Sequence, residues 1–458
     1  MSDTITATMS RWAADLRYED IGERAVQEAR RYLLDSIGCA LGGYQQEDVE
    51  IALDVLDEVA GPGPATVIGS GARFDVVSAA LANALMVRVM DYNDIYWQQD
   101  PSHPSDIIPA ALACAERQGK GGRDLILGIV LGHEFEMRLC EAAFPGIRER
   151  GWHHGTITAF VSPIVAGRML DLPWEKIQHA IGISASHSGT FGAVTAGKLT
   201  MMKNTVDPMA TEAGVMAALL AEKGYTGPEH VIDGKEGLVH CMGPEWKLEI
   251  LTDGLGESWR IERCGMKYFP TEALTHAPIS AVLQLVHEND LVPEDVAKIR
   301  IRSLARAADI LADPTKYDPR SKETADHSLP YVIAAALVER KVTPAQFEPE
   351  AIMDPRIREQ LHKVEVIADP EIEKVFPELQ RVGVTIDTVD GRQVGMELDY
   401  PKGDPRNPLT EDEIEGKFDA LADGVLSKEK ARRLKDAVWR VDELDTVSEL
   451  LELCATDL

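Results

Sequence analysis

Hydrophobic periodicity changes along this chain, and that change limits the fold more than any other feature. Up to about Cys264 the apolar residues recur at helical spacing. Between there and about residue 400 they alternate in short runs. After Pro401-Lys402-Gly403-Asp404-Pro405 the helical spacing returns. Periods of 3.6 and 2 demand different elements. The expected fold is a mostly α large domain, helical and built from both chain ends, with a smaller α+β domain between them. The expected boundaries are 1–264, 265–407 and 408–458.

Helices are expected at 22–40, 49–60, 75–90, 105–117, 124–143, 156–172, 173–186 and 210–223. The 75–90 stretch is apolar on nearly every face, so it should be buried. Gly42-Gly43 and Gly224 follow their helices as C-terminal glycine signals. Residues 65–68 read as a short strand. In the middle region strands are expected at 298–301, 364–367, 383–388 and 394–398, the last pair joined by a turn at Asp390-Gly391. Helices at 278–287 and 329–339 lie among them, and helices at 411–422 and 428–438 follow. There is no internal repeat and no low-complexity tract.

At 458 residues the chain exceeds one ordinary core. Its 47 basic and 76 acidic residues leave a net charge of −29. Such a surface repels phosphate backbones and anionic bilayers, so neither nucleic acid nor membrane is an expected partner. An anionic substrate is still compatible, because a few local cations outweigh carboxylates beyond a Debye length. The six cysteines form no C-x-x-C pair and lack the spacing of a zinc site or an iron–sulfur cluster. They fit a reduced, cytoplasmic setting. No apolar run is long enough to cross a bilayer. The first sixteen residues lack the basic start and unbroken apolar run of a signal peptide.

Several familiar signatures fail. Gly192 to Lys198 spells G-x-x-x-x-G-K, but Leu199 stands where a phosphate loop needs Ser or Thr. His133-Glu134 begins like a zinc-protease helix, but Met137 holds the second histidine position. Gly61-Pro62-Gly63 lacks the third glycine of a dinucleotide loop.

Five segments place reactive side chains beside apolar helices. Asp91-Tyr92-Asn93-Asp94 emerges directly from the 75–90 helix and leads to His103-Pro104-Ser105-Asp106, where Ser105 can cap the next helix. Trp152-His153-His154-Gly155 forms a glycine-flanked loop before a small-residue helix. Lys203-Asn204 ends a loop that also holds Lys198. Lys267 is embedded in Met266, Tyr268 and Phe269. Asp326-His327 opens a helix as an oriented acid or as a capping pair. Each segment has a plainer reading as caps, surface loops or a lysine with a buried stem.

Taken together these segments resemble the MmgE/PrpD family. Asp91-Tyr92-Asn93-Asp94 with His103-Pro104-Ser105 resembles its D-[FY]-[ND]-D-T…H-P-S element. Trp152-His153 resembles its G-[FW]-H element, and Met202-Lys203 its lysine loop. Lys267-Tyr268-Phe269-Pro270 with His276 resembles its K-x-F-P…H element. Lys316-Tyr317-Asp318-Pro319, Glu323 to Tyr331 and Tyr400-Pro401-Lys402-Gly403 are most similar to its 2-methylcitrate dehydratase branch.

The resemblance implies a homodimer, no cofactor, no required metal and an active site in a cleft between two domains. It implies a lyase dehydrating a small tricarboxylate such as 2-methylcitrate, with Asp91, His103 and His153 catalytic. Asn93, Lys203, Lys267, Tyr317 and His327 would bind substrate, the lysines giving the site a locally positive potential. An epimerase or isomerase of a dicarboxylate, a cis-aconitate decarboxylase-like enzyme and an inactive binding member are the alternatives. Ile95 stands where the family usually has threonine, which removes a hydroxyl. Glu272 stands where its decarboxylases tend to carry histidine. Both differences argue against decarboxylation, and the first also weakens dehydration.

Overall fold

The structure is a computed structural model that describes residues 4–97, 100–196, 199–243 and 245–458. Lys198, expected in the lysine loop, lies outside the described residues. The chain divides into two compact units. One contains the described residues up to 196 with Met201–Cys264 and Thr410–Leu458, and the other contains Gly265–Leu409. The first is helical and the second mixes a sheet with helices.

In the helical unit, the Val76–Arg88 helix starts at Asp75, whose carboxylate accepts the Val77 and Ser78 N–H groups. Nearly every residue of this helix is buried, as its all-round apolar sequence requires. The Gly155–Met169 and Met202–Glu222 helices pack closely on one another. A Cβ at Gly214 would fall 1.7 Å from Ser162 Oγ, so only glycine permits that approach. The C-terminal Glu411–Ala422 helix packs on Glu23–Gly43, with Phe418 against Gly38. Its Lys417 Nζ lies 2.7 Å from Asp35 Oδ1 and donates to the Tyr92 carbonyl at 2.6 Å. A segment late in the sequence thereby fixes the backbone of the Asp91–Asp94 turn.

The second unit has a four-stranded sheet in the order Val364–Ala368, Val296–Ser303, Val382–Thr388, Gln393–Leu398. The first pair is parallel, with Ile299 opposite Val364, and the other pairs are antiparallel. Ile299 and Ile301 alternate into the core, where the His276–Glu288 and Leu329–Glu339 helices pack, and Val296 is buried beyond a register shift in the strand. Gly391 takes the left-handed conformation at the hairpin turn.

Four local expectations need correction. The helix expected from 210 starts at Met202 and carries Pro208 inside it, so Lys203 and Asn204 belong to its first turn and not to a loop. Proline is a helix-breaking signal in sequence, but here it only removes the bond to the Asn204 carbonyl near the helix start. Ser105 does not cap the Ile108–Gln118 helix; its hydroxyl donates to Asp94 Oδ1 at 2.7 Å. The first half also holds a strand pair, Asp94–Trp97 with Pro101–Ser102, too short to show alternation. The strand expected at 65–68 runs from Pro62 to Thr66 and pairs with Arg73–Phe74.

Candidate active site

The Val76–Arg88 helix delivers one cation and one carboxylate into the interior of the helical unit. Arg88 is buried and pairs with Asp91 three residues on. Asp91 itself has φ near +51°, in the left-handed region that aspartate tolerates better than most residues. The Arg88 Nε lies 3.6 Å from Asp106 Oδ2 and 3.9 Å from Asp207 Oδ2. Burial alone would lower the Arg88 pKa, but the three carboxylates more than offset it and hold the guanidinium above its usual value. Lys203, in the first turn of Met202–Glu222, brings its Nζ to 3.1 Å from Asp91 Oδ2.

The carboxylates divide. Burial, reinforced by Asp207, Asp94 and Glu136, pushes Asp106 well above the carboxylate range despite Arg88. Asp106 is then neutral, and its Oδ1 accepts a hydrogen bond from Asn93 Nδ2 at 2.9 Å. Asp207 goes the other way. Burial would raise it, but His154, His153 and Arg88 hold it well below the usual range. With Asp106 neutral, Asp91 and Asp207 balance Arg88 and Lys203. Within the helical unit each of these two cations therefore faces a carboxylate.

Three imidazoles sit against this group. His154 Nε2 is 3.4 Å from Asp207 Oδ2, and the His154 ring centroid is 3.8 Å from that of His153 and 5.3 Å from that of His103. Backbone partners fix a proton position on two of them, His103 and His153. The His103 Nδ1 is 2.6 Å from the Asp94 carbonyl, which can only accept, so Nδ1 carries a hydrogen and the neutral form of the ring has its lone pair on Nε2. The His153 Nδ1 accepts the Gly155 N–H at 3.1 Å, so its ring hydrogen is on Nε2. Burial, with His154 adding to it, pushes His153 well below its usual pKa, so the ring is neutral.

Five of the sequence-selected residues thus meet in the helical unit: Asp91, Asn93, His103, His153 and Lys203. The other three belong to the second unit. Lys267 is buried and donates to the Thr271 carbonyl at 3.0 Å, a carbonyl also approached by His276. The Tyr317 hydroxyl donates to the Val364 carbonyl, and its ring stacks on His362. His327 Nδ1 is 2.5 Å from Asp326 Oδ1, while Ser328 is the residue that caps Leu329–Glu339. Glu272 caps the turn that follows it, accepting the Leu274 N–H at 2.7 Å.

The family model of the MmgE/PrpD N-terminal domain matches residues 7–251, and that of the C-terminal domain matches 269–443. The chain belongs to the MmgE/PrpD family. It is 28% identical to the cis-aconitate decarboxylase-like protein oryM of Aspergillus oryzae, over 99% of this chain and 98% of that one. Human cis-aconitate decarboxylase is also 28% identical, over 99% and 95%. The 2-methylcitrate dehydratase of Salmonella typhi is 24% identical, over 85% and 84%. Membership and these relatives support lyase-type enzymatic activity at that coarse level.

In this MmgE/PrpD member, sequence reading missed Arg88, Asp106, Glu136, His133 and Asp207. A signal was present for Arg88, which interrupts the otherwise apolar run from Ala84 to Met90. Two groups of buried donors lie close enough to surround an ion, with atoms within 4.8 Å: Asp94, His133 and Cys264, and His153, His154 and Asp207. In the second, the Arg88 charge beside Asp207 opposes a further cation. In the first, Asp94 Oδ2 already accepts the Ser105 N–H at 2.9 Å. Both groups are read as close-set clusters of buried polar side chains. No helix among the described residues is long and apolar enough to cross a membrane.

Proposed function

We propose that this protein dehydrates a small tricarboxylate, with 2-methylcitrate the first substrate to test, by acid–base catalysis that requires no metal. The observation that carries this reading is the opposed protonation of two neighbouring histidines. His103 presents a lone pair at Nε2, which suits removal of a proton beside a carboxylate. His153 presents an N–H at Nε2, which suits a hydrogen bond to the departing hydroxyl. The proton leaves carbon for His103, the C–H electrons form the alkene, the C–O electrons leave with the hydroxyl, and His103 returns its proton to that hydroxyl to release water. Lys203 supplies a donor for a substrate carboxylate, with Asp91 holding it in place, while Asn93 spends both Nδ2 hydrogens on Ser105 and Asp106.

A second reading is decarboxylation of cis-aconitate, favoured by relatives of that name that align with 99% of the chain. That reaction needs a proton donor and a site for the leaving carboxylate, not a base at carbon. Incubation with 2-methylcitrate, citrate and cis-aconitate separates the two. Alkene absorbance without gas release supports dehydration. Carbon dioxide from cis-aconitate, with no alkene formed from either hydroxy acid, refutes it.

We also infer a homodimer formed through the helical unit. Ile51, Val55 and Val59 are exposed along one face of Glu47–Val59, and Met202, Met209 and Met216 recur at seven-residue spacing along Met202–Glu222. The two helices are neighbours, with Asn204 Nδ2 3.4 Å from Asp48 Oδ2. Apolar rows of this kind on adjacent helices suit burial against a second copy. The thiols of Cys114, Cys140, Cys241 and Cys454 are free, which fits the proposed cytoplasmic setting.

A further inference from the structure

His133 occupies the middle of the Gly122–Ala142 helix and is fully buried. A buried imidazole requires polar partners. Its Nδ1 is 2.9 Å from the Ile129 carbonyl one turn back, and a carbonyl only accepts, so Nδ1 carries a hydrogen. The ring lies beside that of Tyr32, centroids 4.8 Å apart. Nε2 makes no conventional hydrogen bond, yet it lies 3.3 Å from Asp94 Oδ2, with both side chains wholly inaccessible.

If neither group held a further proton, a nitrogen lone pair would face a carboxylate oxygen in a dry interior. Water is not there to screen that repulsion, so the arrangement would be costly. One proton must lie between Nε2 and Oδ2. Drawn as imidazolium and carboxylate, or as imidazole and carboxylic acid, the pair has no net charge in either form.

Asp94 is also a junction. Ser105 donates its N–H to Oδ2 and its hydroxyl to Oδ1, and the Asp94 carbonyl accepts His103 Nδ1–H. We propose that His133 is a positioning residue: by sharing one proton with Asp94, it locks the aspartate whose carbonyl holds His103 in the tautomer with a basic Nε2. This rests on the reading of His103 as the base. The other charged or titratable groups around the pair do not supply that proton. Tyr32 is kept neutral by burial and donates its hydroxyl to the Cys264 carbonyl. The Cys264 thiol lies 3.7 Å from Asp94 Oδ2. Asp35 is answered by Lys417, and Asp106 and Glu136 hold their own protons.

The test needs no substrate. Ring nitrogens of histidine, labelled with nitrogen-15, report directly which nitrogen bears hydrogen. At neutral pH the wild-type His133 should show hydrogen on Nδ1 and a shared or bound hydrogen on Nε2, with His103 showing a lone pair on Nε2. In His133→Phe, where nothing shares the proton, His103 should show both tautomers. In His133→Gln, whose amide N–H reaches the Nε2 position, the single tautomer should return. A bare Nε2 on wild-type His133, or an unchanged His103 in the Phe variant, overturns the proposal. If the Phe variant fails to fold, the wild-type His133 signal and the Gln variant decide, and loss of the single tautomer in the latter overturns it. Hydrogen on His103 Nε2 in the wild type would overturn the base assignment as well, read on a different residue.

Discussion

Glu136 offers a test of the buried charge balance that is independent of any substrate. It is fully buried on the Gly122–Ala142 helix, where its Oε1 accepts hydrogen bonds from Ser102 and Thr158. Burial is the largest influence on it and raises its pKa. The two hydroxyls lower it, and Asp207 and Asp94 raise it again, leaving the carboxyl pushed up from 4.5 to about 8. The folded state therefore keeps a proton that the unfolded chain releases. As pH rises from about 4.5 to about 8 each unit favours unfolding by about 1.4 kcal/mol, or roughly 5 kcal/mol across the window. Stability from this group is complete below the lower value and is lost as pH climbs through the upper one. Glu136→Gln has no proton to release and keeps an acceptor for Ser102 and Thr158. Its stability relative to wild type should therefore rise by several kcal/mol, on the order of 3 to 5, between mildly acid and mildly alkaline pH. Urea unfolding of both proteins at a series of pH values and one fixed concentration measures this, since other titrating groups cancel in the difference. A difference that stays flat across that range would refute the reasoning.

Other outcomes follow from the site. His103→Ala and Lys203→Ala should each lower turnover of the true substrate by about a hundredfold or more while unfolding cooperatively, checked by steady-state kinetics and thermal melts. Full turnover in either would remove that residue from the chemistry. Chelation with EDTA followed by desalting should leave activity unchanged; loss that a single divalent ion restores would contradict a metal-independent reaction. Light scattering at micromolar concentration should give about twice the 50.2 kDa of one chain. Met209→Glu or Val55→Glu should shift it toward one chain if the exposed apolar rows form the interface.

Secondary structure was legible wherever one periodicity ran unbroken between clear stop signals. Leu329–Glu339 and Glu411–Ala422 have the expected bounds because Ser328 and Thr410 cap them, and each side chain's preference is local. The mostly helical fold with a smaller α+β region was legible for the same reason, and so was family membership, since its motifs are short runs. The start of the Met202–Glu222 helix was not, because packing of Gly214 on Ser162 holds a helix that Pro208 would otherwise end. Pairing in the active site was decided only by tertiary structure. Arg88 with Asp91, Asp106, and Lys203 with Asp207 come from three separate stretches of sequence, and whether a carboxylate there is charged depends on which cation the folded chain places beside it. The histidine protons were equally hidden. The sequence names an imidazole, but the backbone groups that the fold brings to it, the Asp94 carbonyl and the Gly155 N–H, select which nitrogen is basic.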